Sequence, residues 1–145
     1  MTQPDDVDPN EIFVLSEPLP RPDQHRSLTP EYWSRFTRAQ QVLMIANEMN
    51  RASKLFDPDS RAALLGCYSR VLALADLTAS MPHSKGFRRE LLRFREMVGA
   101  QYIATEPDAG THGELFYALL TFTPESFQQV PHVTGLPARL ASVAR

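Results

Sequence analysis

Where proline falls decides what this chain can build. Six of the twelve prolines lie at or before Pro30, and only Pro58 and Pro82 interrupt the chain before Pro107. Proline removes a backbone donor and clashes with the preceding turn, so it is excluded from helix interiors but tolerated at the first helical position. Thr29-Pro30-Glu31, Asp57-Pro58-Asp59 and Thr123-Pro124-Glu125 each place a capping side chain before proline and an acid after it. That is the signature of a helix start. The spacing therefore predicts a helical body between Pro30 and Pro107, with an extended segment before it and an irregular region after it.

Apolar periodicity fills in the body. A first helix is expected from Pro30 to about Phe56, with Tyr32, Phe36, Ala39, Leu43 and Ala46 on one stripe. A second runs from Pro58 to about Ser80. Leu64, Leu65, Cys67, Tyr68, Val71, Leu72, Leu74 and Leu77 nearly surround its axis, so it is expected to be the central, buried helix. A third runs from Ser84 to about Ala104 on Phe87, Leu91, Phe94, Val98 and Tyr102. Glu114–Phe122 is too short for periodicity to separate helix from strand, but its Glu, Leu and Ala favour a shorter fourth helical element. The fold class expected is all-α: an antiparallel bundle of three long helices and a shorter fourth element over residues 29–122. An extended N-terminal arm precedes it over 1–28, and an irregular region with short helices follows over 123–145.

The formal net charge of −2 is a cancellation. Residues 1–25 carry Asp5, Asp6, Asp8, Glu11, Glu17 and Asp23 against Arg21, a balance of −5. Residues 26–104 hold twelve bases and seven acids, and residues 105–145 hold two bases and four acids. At 145 residues and 43% apolar content, one folded domain with its own core is expected. The start lacks the basic and apolar regions of a signal peptide, and no apolar run approaches a membrane span, so a cytoplasmic chain that avoids membranes is expected. The single cysteine, Cys67, lies among apolar residues and reads as a small hydrophobe; alone, it excludes multi-thiolate metal sites.

Catalytic signatures are fragmentary. His83-Ser84-Lys85-Gly86 resembles the run of histidine phosphotransfer domains, but lysine follows histidine by two residues instead of three, and Pro82 places the histidine in a turn. His112-Gly113-Glu114 has the His-x-Glu of zinc deaminases without the two further thiolates. Asp6, Asp8, Asn10 and Glu17 imitate calcium-loop spacing, but Glu11 replaces the turn glycine and Pro9 intrudes. None of the nine glutamates has a histidine three residues on, which argues against a di-metal carboxylate bundle. No phosphate loop or nucleophile elbow is present. His83, His112 and His132 all fall in expected loops. No cofactor, no metal and no enzymatic activity are expected.

Two features go beyond bundle construction. Ile12, Phe13, Val14 and Leu15, followed by alternating prolines, suit a stiff extended strand that docks in a groove or at an edge, or an acidic arm that folds back over its own basic body. Leu92, Gly99 and Ile103 lie on the back of the third helix, where they could meet the fourth element or form a dimer seam. The expected function is a small non-enzymatic protein–protein interaction module, an adaptor, assembly factor or accessory subunit, with a protein partner or self-association. The alternative is a nucleic-acid-binding regulator using Arg88, Arg89, Arg93 and Arg95, although these flank the apolar stripe on both sides and sit among Glu90 and Glu96. Asn47 and Asn50 point near the core stripe, where polar groups need partners.

Overall fold

A computed structural model describes residues 29–141, and all regular structure within them is helical. The acidic arm, including Ile12, Phe13, Val14 and Leu15, lies outside the described residues, as does the end of the chain. The elements are α1 (Pro30–Trp33), α2 (Arg38–Ala52), α3 (Arg61–Ala79), α4 (Lys85–Ile103), α5 (Ala109–Leu120), α6 (Pro124–Phe127) and α7 (Ala138–Ala141). Single 3-10 turns at Pro58–Ser60 and Val130–His132 complete them.

The expected first helix is two pieces. Thr29 caps the single turn of α1, and the chain turns again before Thr37 opens α2. Thr37 accepts from the Gln40 backbone N–H while the Gln40 side chain accepts from the Thr37 N–H, a reciprocal capping box. Gln41 holds the corner from inside, its Nε2 donating to the Trp33 carbonyl at 2.9 Å and to that of Phe36 at 3.3 Å. The break lets Trp33 enter the core, where its Nε1–H donates to Thr78 Oγ1 of α3 at 3.0 Å.

The central helix is also a different one. α2 is buried at every residue from Gln41 to Asn50, including Asn47, Glu48 and Asn50. α3, although more apolar, buries only one face, through Leu64, Cys67, Tyr68, Val71, Leu74, Ala75 and Thr78. The helical stretch Pro58–Ala79 is by length and composition alone apolar enough to cross a membrane, a property that a core helix shares. Composition misleads here because α2 carries polar side chains, among them Glu48 with its arginine partners, into buried positions, whereas α3 leaves alanines and leucines half-exposed.

α3 packs on α2 and α4, and α5 packs on the same two helices, closing a ring of contacts. α5 begins earlier than its apolar run implies. Asp108 caps it, accepting from the Thr111 backbone N–H at 2.7 Å, and the helix runs through Gly110 and Gly113. Those two poor helix formers conceal its first turn in the sequence. Gly113 is required: a Cβ there would lie 2.5 Å from the Gly135 carbonyl oxygen. Gly135 itself holds a φ of 83° against Ser53. α4 follows its expected bounds and stripe, except that Gln101 takes the buried place assigned to Tyr102.

Candidate functional site

Three polar or apolar concentrations were candidates for function, and their geometry separates them. The first centres on His112, which α5 carries into the core, not in the loop its neighbours suggested. Its Nε2 lies 2.9 Å from the Met49 carbonyl and 3.1 Å from Ser53 Oγ, so the carbonyl sets Nε2 as the protonated nitrogen. Nδ1 then accepts from the Tyr68 hydroxyl at 2.9 Å. Gln101 Nε2 donates to the same hydroxyl at 3.3 Å and to the Asp108 carbonyl at 2.9 Å, and its Oε1 accepts the Asp108 N–H at 3.1 Å. This chain of bonds links α2, α3, α4 and the start of α5. Burial pushes the His112 pKa down to about 4 and that of Tyr68 up to about 12, so both are neutral near pH 7. Both imidazole nitrogens are occupied by protein groups, and the histidine acts as a structural tie.

The second is a buried carboxylate. Glu48 of α2 is 1% exposed at its side chain and accepts from Arg51 at 2.7 Å and from Arg70 of α3 at 3.0 Å. Arg70 also reaches Cys67 Sγ at 3.5 Å. Burial, with Glu48 nearby, raises the Cys67 pKa, so the thiol stays protonated, as expected of a structural cysteine. Among the described residues no group of three or more His, Cys, Asp or Glu could hold a metal ion.

The histidines are not gathered into one site. His83 Nε2 donates to the Thr78 carbonyl at 2.8 Å, its ring packs at a tilt against Phe87, and burial lowers its pKa. It lines a cavity of about 250 Å³ with Gln41, and His83 Nδ1 and Gln41 Oε1 are both buried acceptors without a protein donor. Two such acceptors suit a water molecule. His132 is exposed on the Val130–His132 turn.

The third concentration is the outer side of α4. The exposed large apolar side chains among the described residues are Leu92 at 46%, Met97 at 45%, Tyr102 at 39% and Ile103 at 81%, and all four belong to this helix. Leu92, Gly99 and Ile103 fall within about 20° of one line at 100° per residue. α4 buries its opposite side in the core, and Leu92 and Ile103 are exposed, so of the two alternatives the fourth element does not cover them.

The four arginines disperse around this helix. Arg88 donates to the Met81 carbonyl at 2.6 Å. Arg95 forms two bonds to Asp76 of α3, at 2.9 and 3.3 Å, and this contact raises its pKa. Arg93 lies 3.9 Å from Glu90, the i,i+3 pair expected from spacing, and Arg89 is exposed. They do not converge on a common ligand position.

Among the described residues the fold is all-helical, with a structurally occupied polar core and exposed apolar side chains on α4. No family model, no curated protein and no solved structure matches the chain.

Proposed function

We propose that the chain is a small cytoplasmic, non-enzymatic protein–protein interaction module, and that the outer face of α4 is its docking surface. The observation that carries this reading is that Leu92 and Ile103, the two most exposed large apolar side chains of the described residues, share the outer line of α4, with Met97 and Tyr102 on its flanks. Scattered single apolar residues are ordinary on a surface; two that share one outer helix line offer a partner an apolar face. The buried polar groups support the non-enzymatic part, because His112, Tyr68, Glu48 and Gln101 are held by bonds within the protein. The ring of contacts among α2, α3, α4 and α5 supports an antiparallel bundle of three long helices and a shorter fourth element. The N-terminal arm, through Ile12, Phe13, Val14 and Leu15, is the second docking element of this reading.

The test combines Leu92→Asp with Ile103→Asp and, separately, removal of residues 1–27. Circular dichroism should be unchanged by the α4 substitutions, while partner capture or self-association falls. Unchanged capture and assembly in both variants would remove the proposal. The nucleic-acid alternative has less support, because Arg88 and Arg95 are engaged inside the chain.

A further inference from the structure

We propose that the cavity between the α1–α2 corner and the turn before α4 binds a small neutral molecule through a planar NH2 group, of the primary-carboxamide or aminoheterocycle class. Phe36, Arg38 and Gln41 line it from the corner, and Met81, Pro82 and His83 from the turn. Two acceptors belong to this lining, and bonds elsewhere fix the orientation of each. Gln41 is 3% exposed, and its Nε2 donates to the Trp33 and Phe36 carbonyls. Turning the amide over would set Oε1 against both carbonyls, so Oε1 is the atom left without a protein donor. His83 Nε2 lies 2.8 Å from the Thr78 carbonyl and therefore carries the proton, which leaves Nδ1 a buried acceptor without a donor. Burial, with the Arg38 and Arg88 charges nearby, lowers the His83 pKa and keeps Nδ1 unprotonated at neutral pH.

The rest of the lining selects among donors. An ammonium group could satisfy both acceptors, but Arg38 and Arg88 repel a cation. A carboxylate has no hydrogen to give. A water molecule takes only about 30 Å³ of a cavity of about 250 Å³, and it leaves the apolar surfaces of Phe36, Met81 and Pro82 uncovered. A neutral NH2 group on a flat apolar framework offers one hydrogen to each acceptor and packs its ring on those surfaces. Its neighbouring carbonyl or ring nitrogen suits Arg38, an exposed residue whose guanidinium is held over the Phe87 ring at 4.5 Å.

Benzamide, titrated into the full chain, tests this through the 15N signals of the His83 ring and the Gln41 side-chain amide. Saturable binding with a Kd on the order of 1 mM is expected, with the His83 Nδ1 signal shifting as it accepts a hydrogen bond. N,N-dimethylbenzamide keeps the ring and carbonyl but has no N–H, and it should bind at least about tenfold more weakly. The benzamidinium cation should be weakened similarly. His83→Phe should lower benzamide affinity about tenfold; if that variant fails to fold, the ligand series on the wild type decides alone. The Leu92→Asp, Ile103→Asp chain should bind benzamide as the wild type does, which separates this result from the fate of the α4 reading. No saturable change in these signals, which leaves the acceptors to water only, or equal binding of N,N-dimethylbenzamide, overturns the proposal.

Discussion

His112 shows how one buried side chain sets a property of the whole protein. Its folded pKa of about 4 lies below its ordinary 6.5. Between those values the unfolded chain binds a proton that the folded chain refuses. Stability from this group is therefore fully present above about pH 6.5 and falls as the pH drops towards 4, by a total of about 3 kcal/mol. Thermal melts at neutral pH and near pH 5 should show this loss, and His112→Phe should flatten the difference between the two midpoints. That variant also leaves the Tyr68 hydroxyl without its acceptor, while the Met49 carbonyl keeps its bonds from Ser53, so its neutral-pH stability should fall by about 1–3 kcal/mol. Gly113→Ala tests the neighbouring contact. Its methyl group would meet the Gly135 carbonyl, and an overpacking cost of about 1–3 kcal/mol should appear in urea denaturation. Neither role was legible beforehand. The His-Gly-Glu run suggests metal chemistry or a loop, because the partners of His112 come from residues 44 and 63 positions away.

At the scale of elements, the clamp between α2 and α3 separates the cost of losing a charge from that of stranding one. Glu48 is enclosed, whereas Arg51 and Arg70 are 18% and 41% exposed and can reach water. Glu48→Gln should therefore cost about 1–2 kcal/mol. Replacing both arginines with leucine leaves the carboxylate buried and should cost about 3–5 kcal/mol. Denaturant midpoints that rank the two variants in the reverse order would contradict this account. The starts of elements were largely written in local sequence. Thr29, Ser84 and Thr123 cap as expected, because a cap needs only a side-chain oxygen within three residues of its donor. The break between α1 and α2 was locally encoded as well, in the Thr37–Gln40 box, but continuous apolar spacing from Tyr32 to Ala46 obscured it. The early start of α5 was hidden behind its glycines.

For the whole molecule, the contrast between α2 and α3 is the main correction. Apolar content ranked α3 as central, yet α2 is enclosed around its full circumference. Burial depends on how many neighbours surround a helix, and a helix between several partners can carry polar residues if each is bonded. The outer face of α4 is the converse case. Its apolar residues were visible in the sequence as a second stripe, but only the burial of the other side in the core leaves them uncovered. Gly99→Ala should add up to about 1 kcal/mol of stability, measured by thermal or urea unfolding. A destabilised Gly99→Ala chain would mean that internal packing does need the glycine.

Helical class, the helix-start caps, the polarity of charge along the chain and the incomplete catalytic motifs were all properties of the sequence alone. Each depends on residues within a few positions of one another, or on composition. The central helix, the tie between His112, Tyr68 and Gln101, and the exposure of Leu92 and Ile103 were decided only by the tertiary structure. Each depends on which faces meet, and groups far apart in the chain settle that together when the core closes.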